Sequence, residues 1–337
     1  MDNNIPLISV IISAYNSEKF IETRLLNLIN QTIFDKIEVI IIDSGSMQNE
    51  QKIVMPFLTK YSNIRYFRTE ERESIYKAWN RGIRLSKGEF ITNANCDDML
   101  VKDALHILSK YLQENPRIAL VYGDQYITHT PYLDYYQIND KKLYKFPDFN
   151  RILQLEYCLI GSQPLWRSSL HFEDNIWFNE KYEICGDHEF ELNISQYYEM
   201  YHIKIPLGSF YKSVKKENKE YQNSTQTLAE GHEISEIYTQ KYINDISVIE
   251  LHRLKNDYGK WIKINPILAY ALKKILEFFR GPYILSFEFL YHFNVLILIR
   301  LGELKRASIV CQNFLRYKKS DKINKILNRL KQECQIS

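Results

Sequence analysis

The sequence predicts an α/β domain with a largely parallel sheet flanked by helices, followed by an all-helical C-terminal region. Two observations carry this. Through the first half, short runs of branched apolar residues, each closed by a polar turn, alternate with amphipathic stretches. From about residue 232 onward the pattern is helical throughout, with Gly and Pro sparse.

LISVIISAYN (7–16) reads as a buried strand that ends in a polar turn. Ser17 is then a good N-cap, with Glu18 and Glu22 in the first turn and Ile21, Leu25, Leu28 and Ile29 at helical spacing. IEVIIIDSGS (37–46) repeats the strand-and-turn pattern, and IRYFR (64–68) is a third strand. SIYKAWNRGIRLS (74–86) places Ile75, Trp79 and Ile83 on one helical face, and EFITNA (89–94) is the next strand. Leu105, Leu108 and Leu112 mark another helix before the strand IALVYGDQYI (118–127).

The chain of 337 residues accommodates two domains, drawn here as 1–231 and 232–337. A formal net charge of +3 gives no support to a nucleic-acid partner. Five cysteines, an odd number with no CxxC pair, read as reduced thiols. The start MDNNIPLISVIIS lacks a basic n-region, so a cytoplasmic setting is expected. PYILSFEFLYHFNVLILIRL (282–301) is long enough to span a bilayer but carries Glu288, His292 and Asn294, which favours a buried or surface-lying helix and leaves peripheral membrane contact open. FNVLILIRLGELKRASIVCQNFL (293–315) is spaced like one tetratricopeptide-like helix pair, a possible surface for homo-oligomers.

In open α/β sheets, ligands sit beyond the carboxyl ends of the strands. Three such ends are polar here: Ser13-Ala14-Tyr15-Asn16, Asp43-Ser44-Gly45-Ser46 and Asn95-Cys96-Asp97-Asp98. They offer a ring to stack on a base, a carboxylate for base or ribose, and hard oxygen ligands for Mg²⁺ or Mn²⁺ completed by diphosphate oxygens. Neither GxxxxGK[ST] nor GxGxxG occurs, so P-loop kinases and dinucleotide oxidoreductases lose support.

VIISAYN, VIIIDSGS, ESIYKAWNRGI and GEFITNANCDD, in this order, resemble the successive motifs of the family 2 glycosyltransferases, which have the GT-A fold. The resemblance covers about residues 5–230. It implies a nucleotide-sugar donor, a saccharide or lipid-linked acceptor and a divalent metal. Tyr15 would stack on the base, Ser13 and Asp43 would contact base and ribose, and Arg72, Glu73 and Asn80 would lie near ribose and diphosphate. Asp97 would be the metal ligand, with Asn95 and Cys96 beside it on the donor, and Asp98 would cap the next helix or orient the acceptor. Two departures stand out. Asn95 replaces the first aspartate of the Asp-x-Asp signature and is the weaker cation ligand; Ser44 replaces the second aspartate of Asp-Asp-Gly-Ser, which opens the identity of the base, uridine being the first expectation.

Inverting transfer also needs a base to deprotonate the acceptor hydroxyl. By the same resemblance, YEICGDHEFELNI (182–194) supplies it as Asp187. LIGSQPLWRSSLH (159–171) resembles an acceptor-side segment: Gln163 and Arg167 would bond hydroxyls or phosphate, and Trp166 either stacks on a sugar ring or fills the core. The lysine-rich 211–223 is a solvated loop or a cover for the diphosphate. Two rivals remain: a nucleotidyltransferase, whose Gly-rich basic N-terminal loop is missing, and a catalytically silent binding module.

Overall fold

The structure is a computed structural model that describes residues 5–213, except 132, 152, 156 and 157, together with 223–242 and 325–328. Four parallel strands, β1 (Ile8–Ala14), β2 (Ile37–Asp43), β3 (Ile64–Arg68) and β4 (Phe90–Asn93), form one half of a single sheet. The register aligns Ile8 with Ile37 and Phe90, so the polar ends of β1, β2 and β4 finish side by side. Every residue of β2 is buried, as expected of a strand covered on both faces.

The other half is β5 (Met99–Leu100), β6 (Ile118–Thr128), β7 (Lys142–Tyr144), β8 (Leu165–Arg167) and β9 (Glu199–Tyr211). The order is β3-β2-β1-β4-β8-β6-β9-β5, with β7 also on β6. Antiparallel β8 joins β4 to β6, so the sheet is mixed rather than mainly parallel. The reason is local: three-residue β8 enters the sheet from an irregular connection, not from a crossover helix.

The helices are α1 (Glu18–Ile29), α2 (Glu50–Lys60), α3 (Ile75–Leu85), α4 (Ala104–Glu114), α5 (Ser169–Phe172), α6 (Gly186–Ile194) and α7 (Ser224–Tyr242). Strand alternation divides the core. Ile8, Val10 and Ile12 pack with Leu25 and Leu28 of α1 and Leu105 and Leu108 of α4. Ile11 and Ile91 face the opposite way, into a layer of Trp79, Trp166, Phe178 and Phe190.

The chain divides into compact units at 1–246 and 247–337. Helix α7 crosses residue 231 and belongs to the first unit: Ile234 and Tyr238 are buried in the aromatic layer, and Tyr238 Oη donates to Glu189 Oε1 at 2.6 Å. The boundary read from the sequence therefore moves beyond this helix. Of the second unit, residues 325–328 are described and are helical. The 282–301 segment, the 293–315 helix pair, most of the 211–223 run, Cys311 and Cys334 lie outside the described residues. No described helix is long and apolar enough to cross a membrane.

Candidate functional site

The turn after β2 is built by its own side chains. Gly45 adopts φ +65°, and a Cβ there would stand 2.9 Å from the Glu71 carbonyl carbon. Ser44 Oγ donates to Glu73 O and accepts from Glu73 N, tying this turn to the segment before α3. Asn16, also at positive φ, donates from its backbone to Ser46 Oγ and accepts from Met47 N on its side chain. Tyr15 carries the exposed Arg72 guanidinium 4.2 Å above its ring.

Asp43 is fully buried with both oxygens engaged. Oδ1 accepts from Ser46 N at 2.8 Å, and Oδ2 accepts from Arg68 at 2.7 Å and from Tyr66. It shapes the turn, and Oδ1 carries a single partner. Glu73 is held by Arg81, whose hydrogen bonds keep its carboxyl below the usual range.

Around β4 the carboxylate pair splits in role. Asp98 accepts from Asn95 Nδ2 at 3.1 Å and from Tyr211 N of β9 at 3.2 Å. Burial and the adjacent Asp97 charge push its carboxyl up to about 7. Asp98 does not cap the next helix; Asp103 holds the N-cap position of α4. Asp97 makes no side-chain hydrogen bond to another described residue, and burial raises its pKa. Below the pair lies wholly buried Arg24, which donates to Asp98 O at 2.9 Å, Asn27 Oδ1 at 3.1 Å and Gln163 Oε1 at 2.6 Å. Cys96 is buried, its thiol against Ser13 O.

A cavity of about 420 Å³ opens beside Asn95. Its apolar walls include the rings of Trp79, Phe146, Trp166, Phe178 and Phe190, and its polar lining includes Asn93, Asp187 and Glu191. Asp187 stands in the first turn of α6, accepting from His188 N at 2.9 Å and Tyr76 Oη at 3.3 Å on Oδ1. Burial raises its pKa, with the His188 amide opposing. One helical turn on, Glu191 accepts from Gln154 Nε2 at 2.6 Å; burial, then the Asp187 charge, pushes its pKa well up. Ahead of α6, Glu230 of α7 accepts backbone N–H bonds from Glu183, Ile184 and Cys185 at 2.9–3.1 Å, fixing the turn that presents Asp187.

Three of the expected ligand-facing residues, Asn80, Gln163 and Arg167, are bonded within the fold, and a fourth, Trp166, is shared between core and cavity. Asn80 spends its amide on Phe178 and Glu180, stapling α3 to the segment before α6. Gln163 is consumed by Arg24 and Met99 O. Arg167 caps the end of α4 through Leu112 O and Asn115 O. Trp166 donates to His171 Nε2 at 2.8 Å from within the aromatic layer, so it is core as well as cavity wall. The sequence reading missed Arg24, Tyr76, Glu191 and Glu230. Arg24 had a signal, a cation on the apolar stripe of α1, and Glu191 follows Asp187 at helical i+4 spacing.

Residues 9–171 match the family model for glycosyl transferase family 2. Over this span the chain is similar to that family. Among curated relatives, glycosyltransferase GlyG of Streptococcus pneumoniae is 31% identical over 120 residues, 36% of this chain and 39% of its own. The hyaluronan synthase of Pasteurella multocida is 27% identical over 200 residues, 58% of this chain and 19% of its own. Across the first three such relatives, the match spans 39–48% of their length. The crystal structure of S. aureus TarS 1–349 in complex with UDP-GlcNAc superposes with a TM-score of 0.53 at 17% identity, over 82% of this chain and 88% of that one. The GT-A arrangement, a mixed sheet flanked by helices, is thus the fold of this domain.

Proposed function

We propose that the chain transfers a hexosyl unit, with inversion, from a nucleoside diphosphate sugar to a hydroxyl of a glycan or lipid-linked saccharide in cell-surface polysaccharide or glycoconjugate synthesis. The observation that carries this is Asp187. It is a hydrogen-bonded carboxylate at a helix N-terminus, on the wall of an aromatic cavity that begins where β4 ends. In the reaction, the acceptor oxygen bonds to the anomeric carbon, the bond from that carbon to the diphosphate oxygen breaks, and Asp187 takes the hydroxyl proton. Tyr76 and the His188 amide orient the carboxylate, and aromatic side chains line the cavity around it.

UDP-sugars are the first donors to test, with Tyr15 and Arg72 at the base. The donor set around β4 fits a divalent cation, Mn²⁺ or Mg²⁺. Asp97 offers a carboxylate with no competing partner, and no three His, Cys, Asp or Glu converge among the described residues, so diphosphate oxygens would complete the ligand shell. When bound, such an ion stabilises charge on the departing diphosphate. A cytoplasmic setting is part of the proposal.

The test is Asp187→Asn, with nucleotide release from UDP-sugars and nucleotide affinity both measured. Transfer should be lost and UDP affinity kept; wild-type turnover in the variant would remove Asp187 from the base role.

A further inference from the structure

Strand alternation puts Asn93 on the same face of β4 as Ile91, turned toward Trp79, Phe178 and Phe190. An apolar side chain at 93 would extend that layer, yet the residue is an amide. The Asn93 side chain makes no hydrogen bond to a described residue, and its Oδ1 is buried. The indole Nε1 of Trp79, one layer away on α3, is likewise buried without a partner. The two residues are 8% and 3% exposed, and both line the cavity that holds Asp187 and Asn95. Unpaired polar atoms in an apolar wall oppose folding and are uncommon in native proteins. Two of them on one cavity wall, one able to accept and one able only to donate, are explained if the cavity's occupant pairs them.

We infer that Asn93 and Trp79 are specificity-determining residues for a hydroxyl-bearing sugar ring bound against Asp187. A sugar hydroxyl both donates and accepts, so the ring's hydroxyls serve the Asn93 amide and the Trp79 N–H. Phe178, Phe190 and Trp166 cover the ring's C–H face. A site built this way rejects an analogue lacking the hydroxyl, because the buried groups are then left unpaired. The inference rests on the transfer reading above. The ring belongs to the donor or to the acceptor, and the two are separable by experiment.

The full chain carrying Asn93→Leu, and separately Trp79→Phe, is compared with wild type in three measurements: thermal unfolding, affinity for UDP against UDP-GlcNAc, UDP-glucose and UDP-galactose, and transfer to disaccharide acceptors. Asn93→Leu should unfold at the same or a higher temperature while kcat/KM falls at least about tenfold, a combination that a merely structural asparagine would not give. Trp79→Phe, which keeps an aromatic ring at the site, should show a similar fall. If the extra affinity of a UDP-sugar over UDP disappears in the variants, the ring is the donor's; if donor affinity holds and the acceptor KM rises, it is the acceptor's. Two results overturn the inference: a lower unfolding temperature for Asn93→Leu, or unchanged donor affinity and acceptor KM in both variants. A wild-type chain that binds and turns over none of these sugars would instead overturn the transfer reading, and this inference with it.

Discussion

Gly186 is where the geometry makes its strongest demand on a single residue. A Cβ on Gly186 would stand 2.7 Å from two carbons of the Tyr76 ring. That ring cannot retreat freely. It is 2% exposed, edge-on to Trp79 at 5.4 Å and stacked on Phe178 at 6.0 Å, and its hydroxyl bonds Ile184 O and Asp187. Gly186→Ala should therefore behave as overpacking and cost about 1–3 kcal/mol. For a unit of this size, each kcal/mol lowers Tm by about 2–4 °C, giving a drop of about 2–12 °C. Because the displaced ring orients Asp187, turnover should fall more than tenfold while UDP affinity stays near wild type. Gly231→Ala is the internal control: a Cβ there meets nothing within 4 Å, and alanine inside α7 should stabilise by about 0.5–1 kcal/mol. Differential scanning calorimetry and a nucleotide-release assay on both variants decide the matter. A Gly186→Ala protein with wild-type Tm and turnover would refute a joint role of Tyr76 and Gly186 in holding Asp187.

Glu230→Ala leaves three backbone N–H groups ahead of α6 without their acceptor. It should cost about 1–3 kcal/mol and reduce turnover, read by thermal unfolding and by kcat. Since burial raises the pKa of Asp187, and a base works only when deprotonated, kcat/KM should climb with pH through a limb lying above the ordinary carboxylate range, and Asp187→Asn should remove that limb. Burial lowers His171 to about 4 from an ordinary 6.5, so the unfolded chain binds the proton first as pH falls. Stability is then complete above about 6.5 and declines by about 3 kcal/mol by pH 4. His171→Gln, which can still accept from Trp166, should flatten that decline in denaturant titrations at several pH values.

Much of this domain was legible in the sequence where one local signal sufficed. The branched runs at 8–14 and 37–43 could only be buried strands, and the helix over 75–85 announced its apolar face through Ile75, Trp79 and Ile83. Asp187 was singled out through resemblance, and it lines the same cavity as Asn95. Less legible was anything decided by which distant segment a side chain meets. Asn80, Gln163 and Arg167 have the polarity of ligand-binding residues, yet their partners are backbone and side-chain groups up to 139 positions away. Polarity alone does not separate a side chain that bonds substrate from one that closes a fold. The antiparallel strand that joins the two halves of the sheet was hidden for a related reason: β8 has three residues, too few for any periodicity to register. Glu230 lay beyond reach because its role depends on α7 packing within the first unit, across a position where the helical pattern suggested a new domain.

Asp97 and the polar strand ends are proposed to form a nucleotide-sugar site. Calorimetric titration of UDP, GDP and dTDP into the wild type and Asp97→Ala, with and without Mn²⁺, tests it most directly. The wild type should bind one nucleotide, UDP first, in a metal-dependent way, and Asp97→Ala should lose that binding. Failure of the wild type to bind any of the three, with or without metal, would contradict it.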